Sequence, residues 1–114
     1  MDKIKSFKAY DIRGKVPDEL NQELAVKIGE AFAEFTDAKT VVVGHDIRKS
    51  SGELSDALTK GLIKKGVNVI DIGLCGTEMI YFATSALETD GGIMITASHN
   101  PPEYNGMKFV RKGS

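Results

Sequence analysis

The sequence is short of most of the residues that would announce a specialised architecture. Its 114 residues include one Cys, no Trp and three Pro, and no Asn-x-Ser/Thr sequon occurs. A lone Cys75 can neither staple the fold with a disulfide nor build a Cys-rich metal site, so a reducing compartment, the cytoplasm, is the expected location. No stretch of about 18 apolar residues is present, and the opening MDKIKSFKAY carries a charge every few residues. Neither a membrane span nor a secretory leader is therefore expected. Charge of one sign is missing too: 15 Lys+Arg stand against 16 Asp+Glu, a formal net charge of −1. That balance argues against a polybasic nucleic-acid binder and against a disordered acidic chain. What is present is 41% hydrophobic residues in a length that suits one globular domain with a buried core.

Hydrophobic periodicity organises the chain. Between Asp18 and Phe35 the residues Leu20, Leu24, Ile28, Ala31, Phe32 and Phe35 recur at helical spacing, with Pro17 suited to the helix start. Thr40–Val43 is a β-branched run and reads as a buried strand. Ser50-Ser51-Gly52-Glu53 has the form of a capping box, and Leu54, Leu58, Gly61 and Leu62 carry that helix to Gly66 at its C′ position. Val67–Ile72 is the next strand. Thr77 is the expected cap of a third helix, and Gly92–Thr96 a further strand. A last strand, Met107–Arg111, follows a loop too short for a crossover helix and should return antiparallel. The fold class expected is α/β and three-layered: a mixed, mostly parallel sheet of about four strands between helices, with the last strand antiparallel.

Open parallel sheets bind ligands beyond the carboxyl ends of their strands. The segments leaving those ends are 44–48, 73–77 and 97–105, and they contain both histidines and Arg48, one of three arginines. In the third segment Pro101 pushes Asn100 out of helical geometry, Pro102 stiffens the loop, and Asn105-Gly106 reads as a turn into the last strand. Such a loop would hold Ser98 in a fixed place. If the strands form a hairpin, Lys108 comes within reach of Ser98, where a cation could lower a hydroxyl pKa, neutralise a phosphoryl group or exchange protons. Taken alone, a Ser in such a Pro-rich loop reads as an ordinary turn residue before it reads as a catalytic one. A Ser–His–Asp hydrolase is disfavoured, because no Gly-x-Ser-x-Gly elbow exists and His99 adjoins Ser98 in sequence. His45 reads as an exposed loop imidazole or a site contact, and Cys75 as a small buried apolar residue.

Thr96-Ala97-Ser98-His99-Asn100-Pro101, followed by Tyr104-Asn105-Gly106-Met107-Lys108, resembles the active-serine loop of the α-D-phosphohexomutases, the phosphomannomutase/phosphoglucomutase family. Tyr10-Asp11-Ile12-Arg13-Gly14 is similar to that family's N-terminal signature. The resemblance implies that residues 1–114 are domain I of a larger enzyme, with the remaining domains outside this chain. It implies phosphoryl transfer through phosphorylated Ser98, interconverting hexose 1-phosphate and hexose 6-phosphate by way of a hexose 1,6-bisphosphate. Mg²⁺ would be held partly by the Ser98 phosphate. Arg13, His99 and Lys108 match positions around that phosphate, with Lys108 as proton shuttle. Tyr10 and Asn100 match supporting positions, and Arg48 falls at the site edge. The family's Asp-x-Asp-x-Asp metal loop does not occur in this sequence, so these residues alone are expected to be inactive. The other partners implied are a phosphosugar substrate and the remaining domains of the same enzyme. Two competing readings are a non-catalytic phosphate-binding or phosphoacceptor module on the same fold, and an interaction domain that self-associates.

Overall fold

A computed structural model describes residues 9–97 and 100–111. The elements in chain order are β1 (Ala9–Lys15), α1 (Gln22–Thr36), β2 (Thr40–His45), α2 (Ser51–Lys64), β3 (Asn68–Leu74), α3 (Thr77–Ala86), β4 (Gly91–Ile95) and β5 (Tyr104–Arg111). They build one sheet in the order β1-β5-β4-β2-β3. β2 pairs parallel with both β3 and β4, while β5 lies antiparallel between β4 and β1. Four strands therefore run one way and only β5 runs against them. This is the expected three-layer α/β fold.

The two-residue period of β2 explains the layering. Val41 and Val43 join Ile93, Ile95, Met107 and Phe109 in a core under α1 and α2, whereas Val42 joins Met94, Val110 and Ile80 in a smaller core under α3. Val41, Val42 and Val43 have no exposed surface at all, as a strand covered on both faces requires. Phe32 of α1 stacks on Phe109 of β5 with ring centroids 5.4 Å apart, tying the helix to the antiparallel half of the sheet. The two helices on this side approach at glycines. A Cβ on Gly29 would run into the Leu58 carbonyl, and one on Gly61 into the Val26 carbonyl. Among the described residues, no helix is long and apolar enough to cross a membrane.

Several local expectations need correction. β1 adds a fifth strand that periodicity does not reveal; among its described side chains, Ile12 alone packs against the larger core. α1 starts at Gln22 rather than near Asp18: Asn21 is extended and its side chain accepts the Leu24 N–H at 2.9 Å, a true N-cap. The segment before it is a turn, with Glu19 and Leu20 N–H groups both reaching the Lys15 carbonyl. No capping box forms at α2. Ser50 occupies the N-cap but has helical dihedrals and no side-chain cap bond; its hydroxyl instead accepts from Asn105. Thr77 is the first residue of α3, and Gly76 is its N-cap. Asn105-Gly106 is not a turn but lies inside β5, opposite Gly14 and Arg13. Glycine is required there by close backbone approach, since a Cβ would strike the Ile12 carbonyl. The C-terminus of α2 is as expected: Gly66 at φ +84° closes a Schellman motif, with Gly66 N–H to Ile63 O and Val67 N–H to Leu62 O.

Candidate active site

The carboxyl edge of the sheet brings together the three anticipated segments and the end of β1. Asp46 N–H bonds the Ile95 carbonyl at 3.0 Å, Cys75 N–H bonds the His45 carbonyl at 3.0 Å, and Val16 N–H bonds the Glu103 carbonyl at 2.9 Å. The loop between β4 and β5 is pinned at both ends. Thr96 N–H reaches the Gly106 carbonyl at 2.9 Å, and Asn100 N–H reaches the Ala97 carbonyl at 3.0 Å. Those last two residues bracket Ser98 and His99, which themselves lie outside the described residues.

Arginines from two other segments hold this loop. Arg13, exposed near the end of β1, donates from Nη1 to Asn100 Oδ1 at 2.9 Å. Arg48 is largely covered. Its Nη1 donates to the carbonyls of Pro101 at 2.9 Å and Tyr104 at 3.1 Å, and its Nη2 to that of Asn100 at 2.8 Å. A planar guanidinium with five fixed donors can span three carbonyls in this way, which an ammonium cannot. Arg48 therefore stands at the carboxyl edge of the sheet, with these donors turned into the loop backbone. Its Nε faces Asp46 Oδ2 at 3.5 Å.

Lys108 is half-buried and sits opposite Asp11 on β1 and Met94 on β4. By the two-residue period it shares the α3-side face of β5 with Gly106, whose partner across the ladder is Arg13. Arg13 and Lys108 are thus diagonal neighbours on one face, close to the end of β4 from which the Ser98 segment leaves. Tyr10 pairs with Phe109 in the β1–β5 ladder, three residues from Arg13.

Residues to which local sequence patterns assign other roles complete the surroundings. Asn105, fully buried, donates to Ser50 and Ser51, and Ser51 donates to Asp46. His45 closes β2 and has a buried Nδ1 without a hydrogen-bond partner. Burial pushes the Cys75 thiol above its ordinary pKa range, against a backbone hydrogen bond from His45 that works the other way. Cys75 is half-buried rather than buried as expected: its sulfur lies 3.9 Å from that of Met94, and it packs against the rim of the smaller core. Among the described residues, no three His, Cys, Asp or Glu side chains stand together. Asp46, the carboxylate under the loop, is taken up by Arg48 and Ser51. These described residues do not fit a Mg²⁺ site, which wants several oxygen ligands.

Comparison with known proteins agrees with this geometry. Residues 4–114 match the family model described as phosphoglucomutase/phosphomannomutase, alpha/beta/alpha domain I. The whole chain is 58% identical over 114 residues to a phosphomannomutase of Escherichia coli, covering 25% of that protein. It is 59% identical over 109 residues to phosphohexose mutases of Xanthomonas campestris, covering 96% of this chain and 24% of theirs. The chain thus spans about a quarter of the length of these relatives. A crystal structure of a phosphoglucomutase/phosphomannomutase family protein from Burkholderia thailandensis superposes over 95% of this chain and 26% of its own, with TM-score 0.84 and 44% identity. Sequence and fold agree, and the chain belongs to the phosphoglucomutase/phosphomannomutase family, as its α/β/α domain I.

Proposed function

We propose that this domain carries the phosphoryl group of a cytoplasmic phosphohexomutase, and that Ser98 is its bearer. Phosphorylated Ser98 gives its phosphoryl group to a hydroxyl of a hexose 1- or 6-phosphate: the Ser98 Oγ–P bond breaks, the sugar O–P bond forms, and the hydroxyl proton passes by way of Lys108 to the departing Ser98 Oγ. The resulting hexose 1,6-bisphosphate turns around and returns its other phosphate to Ser98, whose hydroxyl proton passes by way of Lys108 to the freed sugar oxygen. The net change moves phosphate between C1 and C6. Phosphoryl transfer asks a protein mainly for in-line placement and for stabilised charge on the equatorial oxygens. Arg13 supplies that charge, and His99 and Tyr10 border the group.

The observation that supports this reading most is the double hold on Asn100. Arg13 grips its side chain and Arg48 its carbonyl, so the residue two beyond Ser98 is fixed from two separate strand ends. Reading the sugar and completing turnover fall to parts of the enzyme outside these 114 residues, and the domain by itself converts no hexose phosphate. In the intact enzyme, Ser98→Ala is expected to abolish mutase turnover while leaving the fold unchanged. Normal turnover in that variant would refute the assignment and leave a phosphate-binding module as the better description.

A further inference from the structure

The polar groups beneath the loop, with Ser51 and Asn105 fully buried among them, close into a ring whose members come from two separated segments, 46–51 and 100–105. Asn105 donates from Nδ2 to the hydroxyls of Ser50 at 2.8 Å and Ser51 at 2.9 Å. Ser51 donates onward to Asp46 Oδ1, and Asp46 Oδ2 faces Arg48 Nε. The Arg48 guanidinium then returns to the carbonyls of Asn100, Pro101 and Tyr104, and Tyr104 is joined covalently to Asn105.

Each bond in this ring sets the direction of the next. The Gly106 N–H holds Asn105 Oδ1 at 2.8 Å, so the amide nitrogen must turn to the serines. Ser51, receiving an N–H, is left with its own proton for Asp46. Asp46 keeps its second oxygen for Arg48, and its first also takes the Arg48 backbone N–H at 3.0 Å. A fully satisfied, directional network of this kind is stiff, and its members cost more to remove singly than independent contacts do. It also contributes little to stability that a well-packed apolar cluster could not supply. What it adds is placement: it ties segment 100–104 to the ends of β2 and α2. Phosphoryl transfer is sensitive to such placement, since a misplacement of about 1 Å can lower a rate by about a hundredfold.

We propose that Asp46 and Asn105 are positioning residues for the Ser98 loop, acting through Arg48 and Ser51. The inference rests on the phosphoryl-transfer reading above and assigns neither residue any contact with substrate. The test uses the intact enzyme with Asp46→Ala, Asn105→Ala and the conservative Asp46→Asn. The alanine variants should lose about 10- to 100-fold in kcat, with KM for the hexose phosphate within about threefold of the parent. Asp46→Asn, which keeps an acceptor for Ser51, should recover part of that loss. Amide hydrogen exchange gives a second readout independent of turnover: exchange at Asn100 and Tyr104 should accelerate while that at Val41–Val43 stays protected.

A kcat within twofold of the parent, a loss confined to KM, or exchange rising equally in β2 would each overturn the proposal. Where an alanine variant does not fold, Ser51→Ala removes a single link of the same ring and is read against the same outcomes. The two readings fail separately: turnover surviving Ser98→Ala sinks the phosphoryl-bearer assignment, whereas unchanged exchange at Asn100 and Tyr104 sinks the ring.

Discussion

The contact between α1 and α2 makes a sharp quantitative prediction at Gly61. Alanine is the better helix former, and in an open helix interior Gly→Ala gains up to about 1 kcal/mol. At Gly61 the new Cβ would press on the Val26 carbonyl group, with the Val26 carbon at 2.9 Å and the Glu30 nitrogen at 3.0 Å. These are backbone atoms in a helix and cannot rotate aside, so the helices must separate. Separation loosens the core under them, where Leu58 and Leu62 are fully buried. Overpacking of a tight core costs about 1–3 kcal/mol; against unyielding backbone the upper part of that range, about 2–3 kcal/mol, applies, and after the propensity gain a net loss of about 1–2 kcal/mol is expected. For a domain of this size that lowers Tm by roughly 5–10 °C. Gly52 is the internal control: it lies in the same helix, and a Cβ there meets nothing within 4 Å. Gly52→Ala should leave stability unchanged or raise it by up to about 1 kcal/mol. Urea and thermal unfolding of the two variants beside the parent decide the matter. A Gly61→Ala protein as stable as the parent would refute the close-packing argument.

Three further outcomes follow from the same structure. Gly66→Ala places a side chain at φ +84° in open space, so pure backbone strain should cost about 1 kcal/mol with no change in packing, measurable by urea unfolding. For Cys75 the raised pKa means less thiolate at any given pH. Its alkylation should reach half-maximal rate at a higher pH than an exposed thiol does, and its contribution to stability is present below the unfolded thiol pKa and lost as pH rises through the folded one; an alkylation midpoint at or below the exposed-thiol value would contradict this. Lys108→Ala in the intact enzyme should lower kcat by about 10²–10⁴-fold and remove one limb of its pH profile, as loss of a proton shuttle does. Unchanged turnover with an unchanged pH profile would take Lys108 out of that role.

Which parts of this were legible in the sequence depended on how local their causes are. α2 and its end at Gly66 follow from side chains within one or two turns, and both are found as expected. β2 announces itself because Val41, Val42 and Val43 need burial on both faces. β1 does not: among its described side chains Ile12 alone reaches the larger core, and the strand is fixed by pairing with β5, some 90 residues away. The same distance effect hides the polar ring. Ser50-Ser51-Gly52-Glu53 and Asn105-Gly106 each satisfy a short-range pattern, a capping box and a turn, yet in the fold these residues serve each other across more than 50 positions. Arg48 was legible as a residue of the site edge but not as a clamp, since its carbonyl partners acquire their directions only when the loop closes.

The central claim is that this domain's serine carries the phosphoryl group. The most direct measurement is to incubate the intact enzyme with hexose 1,6-bisphosphate labelled in its phosphates and locate the protein-bound label by peptide mapping. Label is expected on Ser98, discharged when unlabelled hexose phosphate is added in excess, with no label in Ser98→Ala. Label on another residue, or turnover at full rate with no label on the protein, would contradict it.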